Sequence, residues 1–360
     1  MLKETDLSLA ARLHEIDAQF ASGGLQHSAH NKTSTKFSSS IPTSARSAST
    51  KGASKKPQKP VKRGPAVLRI VEWQQFSWLV HGFSTRPGGV STIYSEGARI
   101  GELNLGFTPS DTARNVEKNR ELFMRSVHRK KGQKSSGMPL ILLRQIHSGL
   151  IHQASAQTIR TTVDSALRGD GSIAAGPGIL VGIQTADCLP ILVADVRLRI
   201  VAAFHAGWRG TLARIVERGI GRMRAEFGSR PADLTAAIGP GIGGCCYAVG
   251  EEVRMEFSSQ FTYADALFQE VFDLDPIKEK YPMLFLTARA PGHSNLGPSL
   301  HLDLAEANRR QLLDAGLSAD KIHAMGLCTA CDRNQFFSHR AEHGFTGRML
   351  SVIGVQLPSP

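Results

Sequence analysis

The stretch Gly178–Trp208, GILVGIQTADCLPILVADVRLRIVAAFHAGW, constrains the fold more than any other part of the chain. Short apolar runs rich in Ile, Val and Leu alternate with single polar residues, which predicts two or three buried strands. Two residues are out of keeping with a plain core. Cys188 and His205 stand in otherwise buried surroundings, bracketed by Asp187 and Arg209. They are either satisfied core residues or half of a metal site.

The same patterning places the other elements. AVLRIVEW (residues 66–73), WLVHGFST (78–85), LILLRQIHSG (140–149), LTAAIG (234–239) and RMLSVIGVQL (348–357) read as strands. TARNVEKNRELFMRSV (112–127) reads as a helix beginning after Ser110–Asp111, with Val116, Phe123 and Val127 inward. TLARIVERGIGRMRAEFG (211–228) reads as one helix ending at Gly228. VGEEVRMEFSSQF (249–261) and DLAEANRRQLLDAG (303–316) are further helices, the latter with Asp303 as N-cap. Strands and helices mix without a regular βαβ alternation, so the expected class is α+β (mixed α/β) rather than a Rossmann fold.

Charge divides the chain. Residues 1–65 hold eleven of the 43 Lys and Arg but only four of the 31 Asp and Glu, so most of the net +12 belongs to this segment. Residues 4–20 fit a short amphipathic helix. The Ser-, Lys-, Gly- and Pro-rich remainder cannot bury enough apolar surface to offset its ordering entropy and is expected to be disordered. A basic arm on nucleic acid is the less favoured reading of this tail, because no aromatic residues are interleaved for base stacking. The expected organisation is therefore a tail over 1–65 and a folded domain over 66–358. The acidic first residues, the missing apolar h-region and the odd count of five cysteines predict a reducing, cytoplasmic setting without a disulfide framework. No apolar run approaches the roughly 18 residues of a membrane span.

His147, Cys188 and His205 each sit at the end of a predicted strand. Two imidazoles and a thiolate suit Zn²⁺, leaving a fourth position for a water whose pKa would fall to about 7. Their wide spacing fits a site gathered from several strands rather than a zinc finger. Asp170 and Asp187 are candidates for orienting a ligand histidine, for acid–base work or for capping turns. Arg86 and Arg209, each near glycines, suit phosphate or carboxylate, or satisfy carbonyls at strand ends. Gly239–Cys246, GPGIGGCC, lacks a Walker lysine and reads as a tight turn, compatible with lining a pocket. Cys328 and Cys331 form a C-x-x-C with no second such motif, and the adjacent Cys245–Cys246 pair is a poor candidate for ligating the same tetrahedral ion. That motif reads as structural or incidental. A multicopper oxidase demands many histidines, commonly in H-x-H pairs; thirteen histidines occur and no H-x-H, which disfavours copper.

HGFSTRPGGVS, LNLGF, NVEKNR, RQIHSG, TADCLPILVAD, HAGWRG, IGPGIGGCCYAVG and LCT…FFSHR…TGRM occur in the order found in the YfiH-like family. That family is also called laccase-domain, polyphenol-oxidase-type or purine nucleoside phosphorylase proteins, and the resemblance runs over about Val67–Leu357. It implies a single-domain layered α/β sandwich resembling the catalytic domain of cytotoxic necrotising factor. It implies one zinc per chain on His147, Cys188 and His205. Beside these, which are expected to be catalytic as well, Asp187 is the further expected catalytic residue, and Arg86, Arg209 and Gln145 are the expected substrate or phosphate contacts. The implied activity is phosphorolysis of adenosine, inosine, guanosine and methylthioadenosine, with adenosine deamination besides, by a monomer or weak dimer. The alternative is an editing amidase or peptidase acting on a UDP-muramic acid–amino acid precursor, with Cys188 as nucleophile. Ser148, Gly241, Gly244 and Ala341 depart from the family pattern, as does the insertion TARAPGHSNLGPS (287–299).

Overall fold

The computed structural model describes residues 64–94, 101–128, 137–155, 167–272 and 298–357. The helix expected over 4–20, nearly all of the tail and most of the 287–299 insertion lie outside them. A five-stranded sheet has the order β1 (Val67–Leu68), β2 (Leu79–Ser84), β15 (Met349–Val355), β7 (Leu180–Thr185), β4 (Leu140–Leu142). A six-stranded sheet runs β14 (Ile322–Ala324), β10 (Leu234–Ile238), β8 (Leu189–Asp195), β9 (Ile200–Ala206), β6 (Gly171–Ala175), β5 (Ile151–Ala154). A three-stranded sheet holds β11 (Ala248–Val249), β13 (Ser299–Leu302) and β12 (Phe268–Val271). One further strand, β3 (Pro87–Ser91), bridges to Glu102 through both Pro87 and Ser91. The helices are α1 (Ala113–Val127), α2 (Trp208–Leu212), α3 (Ile215–Phe227), α4 (Glu251–Gln260) and α5 (Leu304–Asp314).

Side-chain alternation along the strands builds the layers. In β8, Leu192 and Ala194 join Val201 and Ala203 of β9 and Ala237 of β10 in one buried cluster. Facing them in that cluster are Val181 and Ile183 of β7, Ile353 and Val355 of β15, and Leu79 and Phe83 of β2. The two large sheets therefore pack face to face. The opposite residues, Ile191, Val193, Ala202 and Phe204, pack on Ile215, Val216, Ile220 and Met223 of α3 and on Leu304, Ala307 and Leu312 of α5. On the outer face of the smaller of these two sheets, Val80, Leu180, Leu350 and Val352 pack on Phe123 and Val127 of α1. The result is a helix–sheet–sheet–helix sandwich, the mixed α/β class expected. Because both faces of β8 and β9 are covered, all their residues are buried. That is why the sequence there is apolar almost throughout rather than alternating.

Local signals account for most element ends. Thr112 caps α1 by accepting from Asn115 N, and Asp303 caps α5 by accepting from Glu306 N. Gly228 ends α3 in the left-handed conformation at φ 73°. Three sequence expectations differ from the fold. The strand expected over 140–149 is only Leu140–Leu142, because the chain then turns toward the other sheet through His147 at φ 58°. The helix expected from Thr211 to Gly228 is two helices, because Arg214 takes φ 55° and turns the chain between them. The strand expected over 66–73 shrinks to Val67–Leu68, followed by a 3-10 turn at Glu72–Gln75 that plants Trp73 in the core. There Trp73 Nε1 donates to Thr235 Oγ1 at 2.9 Å.

Gly219 shows how packing overrides helix propensity. It lies inside α3 directly above the ring of fully buried Phe204, and a methyl there would overlap that ring. Propensity alone credits Gly→Ala with about 1 kcal/mol, whereas overpacking costs about 1–3 kcal/mol. Gly219→Ala is expected to lower the urea midpoint, not raise it.

His81 of β2 is buried, and its Nε2 accepts from Ile70 N at 3.0 Å, which requires an unprotonated ring nitrogen. Burial, with the nearby Arg69 charge, pushes its pKa down to about 4. The unfolded chain binds this proton near 6.5 and the folded chain does not, so stability is whole above 6.5 and lost as pH falls toward 4. The expected loss is up to about 3 kcal/mol. His81→Gln, which keeps an acceptor but cannot titrate, should flatten that segment of a plot of unfolding free energy against pH.

Candidate metal centre

Strand register assembles the site. Gly171 of β6 pairs with Phe204 of β9, so Asp170 lies opposite His205, whose backbone N donates to Asp170 O at 2.7 Å. Leu189 of β8 pairs with Ala206, so Cys188 lies opposite Gly207. Three adjacent strands thus deliver Asp170, His205 and Cys188 to one end of the six-stranded sheet. His147 arrives on the connection from β4 in one sheet to β5 in the other, in a left-handed turn at φ 58°.

The ligand atoms of His147, Cys188 and His205 all lie within 4.8 Å of one another. Cys188 Sγ is 3.8 Å from His147 Nε2, and the two imidazole centroids are 4.9 Å apart. Gly207 leaves the room required: a Cβ there would stand 2.8 Å from Cys188 Sγ and 3.3 Å from His147 Cδ2.

Asp170 holds this group in place. Its fully buried carboxylate accepts from His147 N at 3.0 Å, from Ser148 N and Oγ at 2.7 Å each, from Ile146 N at 3.2 Å and from His205 Nδ1 at 2.9 Å. The bond to Nδ1 favours the His205 tautomer that leaves Nε2 able to ligate a metal. Burial alone would raise the Asp170 carboxyl; the bonds from His205 and Ser148 outweigh it and hold it low. Burial likewise opposes charge on Cys188 and His205, but their mutual attraction, aided by His147 and Asp170, lowers the thiol and raises the imidazole. The thiol is therefore poised as a thiolate, the form that binds metal.

The remaining expected site residues occupy different roles. Asp187 stands at φ 89°, next to Cys188. Its carboxylate accepts from Thr329 Oγ1 at 2.7 Å and Arg340 N at 2.6 Å, and its carbonyl from Ile242 N at 2.7 Å. It clamps two loops beside Cys188. Gln145 donates to Gln184 O and accepts from Gln184 N, both at 2.8 Å, pinning the His147 turn to β7. Arg86 is buried between Glu102 at 2.7 Å and Glu342 at 2.6 Å and lies 4.8 Å from the centroid of the Phe337 ring. The guanidinium and amide that the sequence assigns to phosphate thus serve the scaffold. Arg209 stacks on Trp208 at 4.4 Å and, with Cys188 and Asp187, acts on the phenol of Tyr247. Arg348 feels the charges of Cys188 and Asp187, and His339 those of Arg348, Asp187 and His147. Tyr247, His339, Arg340 and Arg348 were not singled out from sequence; their motifs, CCYAVG, FFSHR and TGRM, were the available signal.

A layered α/β fold with a His–Cys–His group at one end of a sheet defines the class of protein. The chain belongs to the family described as "Multi-copper polyphenol oxidoreductase laccase", whose model matches residues 80–356. It is 29% identical over 303 residues to the purine nucleoside phosphorylase YlmD of Bacillus subtilis (strain 168), covering 81% of this chain and 95% of that one. It is 33% identical over 218 residues to adenosine deaminase RL5 from an unknown prokaryotic organism, covering 59% and 74% respectively. The crystal structure of Bacillus licheniformis hypothetical protein YfiH superposes with a TM-score of 0.65 at 30% identity, over 81% of this chain and 97% of that one. These likenesses make the protein an enzyme of this family. No helix among the described residues is long and apolar enough to cross a membrane.

Gly207→Ala and Asp170→Asn test the site in different ways. The first fills the space beside the thiol; the second replaces an acceptor of backbone N–H groups by an amide. Both are expected to leave the far-ultraviolet circular dichroism unchanged and to weaken metal binding about 10–100-fold, measured by competition with a chromophoric chelator.

Proposed function

We propose that the protein is a zinc-dependent purine nucleoside phosphorylase that also deaminates adenosine, with purine nucleosides and inorganic phosphate as substrates. The observation that carries this reading is the convergence of His147, Cys188 and His205 in front of Asp170. The donor set fits the ion: a thiolate and two imidazoles are what tetrahedral zinc takes in open, catalytic sites. Copper accepts the same donors, but oxidase chemistry at a copper cluster needs more imidazoles than the two that this group contains. When bound, zinc supplies Lewis acidity that brings the pKa of water to about 7.

The chain's own residues do the rest. Asp170 orients His205 and the His147 turn. Arg348 brings positive charge within reach of Cys188, and Arg209 brings it to Tyr247, which also feels Cys188; such guanidinium groups suit phosphate or a developing oxyanion. His339 is an exposed side chain whose pKa is lowered by partial desolvation and by the Arg348 charge, which favours the unprotonated ring that can accept a proton. This assignment replaces Arg86 and Gln145, whose polar groups are spent on the scaffold.

Incubation of adenosine with and without phosphate, followed by chromatography, tests the reading. Adenine and ribose 1-phosphate are expected only with phosphate, and inosine under both conditions. Chelation or Cys188→Ala should abolish both activities, while His339→Ala should lower turnover about 10²-fold with metal content retained. Full activity after chelation would make the lowered Cys188 thiol a nucleophile instead and favour the amidase or peptidase reading.

A further inference from the structure

Four of the five cysteines gather away from the His–Cys–His group. Cys245 and Cys246 lie at the end of the glycine-rich loop, and Cys328 and Cys331 lie on the connection after β14. Their sulfurs all lie within 4.8 Å of one another. Cys331 Sγ is 3.5 Å from Cys245 Sγ and 3.4 Å from Cys246 Sγ, and none is bonded to another. From sequence, Cys328 and Cys331 lack a second C-x-x-C, and an adjacent pair is a poor substitute. The fold supplies that pair by bringing the loops into register: Gly241 bridges Cys328, Gly241 N donates to Leu327 O, and Thr329 N donates to Gly241 O.

We propose that Cys245, Cys246, Cys328 and Cys331 bind a second metal ion, a thiophilic divalent cation of the zinc class, in a closed structural site. A tetrahedral ion with Zn–S bonds of about 2.3 Å spaces its sulfurs about 3.8 Å apart, within the range these four span. An iron–sulfur cluster interposes several irons and sulfides between its cysteines and needs wider spacing than 4.8 Å. Gly243 N donates to Cys328 Sγ at 3.3 Å, a backbone bond that suits a thiolate better than a thiol. Cys245 and Cys331 are exposed, so an ion has a path in. Binding displaces the thiol protons to solvent and changes no oxidation state.

The position gives this ion a purpose. Both cysteine-bearing loops are bonded to Asp187, one through Ile242 N and the other through Thr329 Oγ1, and Asp187 adjoins the ligand Cys188. The second ion ties together the two loops that fix the left-handed turn at Asp187. It is a fastening for the first site and takes no substrate.

Metal analysis of the full-length chain, purified under reducing conditions with zinc, is expected to give about two equivalents per chain, one more than the sequence alone predicts. Cys188→Ala should keep one. The double variant Cys328→Ser/Cys331→Ser should also keep one. Loading wild type with cobalt should produce the intense visible and near-ultraviolet bands of a tetrathiolate, and these should persist in Cys188→Ala. One equivalent in wild type that survives Cys328→Ser/Cys331→Ser overturns the proposal. So does a disulfide among these cysteines in the intact mass of the reduced protein. If the double variant is insoluble, the cobalt spectra decide: a tetrathiolate band in Cys188→Ala supports the second site, and its absence there overturns it. Loss of the His–Cys–His ion alone, in Cys188→Ala, bears only on the first site, so the two assignments fail separately.

Discussion

The bond network of Asp170 is the constraint on which the site depends. A carboxylate with no solvent contact survives in a core only if donors surround it. Here three successive backbone N–H groups, a hydroxyl and an imidazole do so. The carboxylate therefore dictates the shape of the His147 turn and the aim of His205 together. Removing its charge would leave donors buried without acceptors, so the geometry of the metal ligands is coupled to the stability of that end of the sheet.

The sandwich explains why such a site can stand at the edge of so apolar a core. Face-to-face sheets, each backed by helices, make β8 and β9 rigid on both sides. Rigidity fixes the register, and the register alone puts Cys188 opposite Gly207 and Asp170 opposite His205. Two of the five non-glycine residues with left-handed backbone among the described residues, His147 at φ 58° and Asp187 at φ 89°, occur where loops leave this frame beside the His–Cys–His group.

Much of this was legible in the chain. The continuous apolar runs disclosed buried strands, and Asp303 and Gly228 marked helix ends through local chemistry, whereas the helix begun after Ser110–Asp111 is capped one residue later, by Thr112. The fold class followed from the mixture of elements, and the resemblance of TADC and HAGWRG named the family. What stayed hidden depended on contacts between distant segments. Nothing local distinguishes Arg86 facing phosphate from Arg86 locked between Glu102 and Glu342, which lie 16 and 256 residues away. Asp170 could be suspected as an orienting group, but not as the acceptor of an entire turn. The break at Arg214 interrupts an unbroken helical pattern because the chain must pivot from α2 to α3. The four-cysteine cluster needs a pairing across 86 residues between Cys245 and Cys331 that no spacing rule anticipates.

The placement of β15 carries a consequence for how the molecule comes into being. This strand sits between β2 and β7, and its Leu350 meets Ser84 across 266 residues. During synthesis, β2 and β7 leave the ribosome with a gap between them that only a much later segment can close. Until then, two strand edges and the apolar face of the opposing sheet stay open to water and to neighbouring chains. The nascent protein must wait, and chaperones have a long interval in which to hold it.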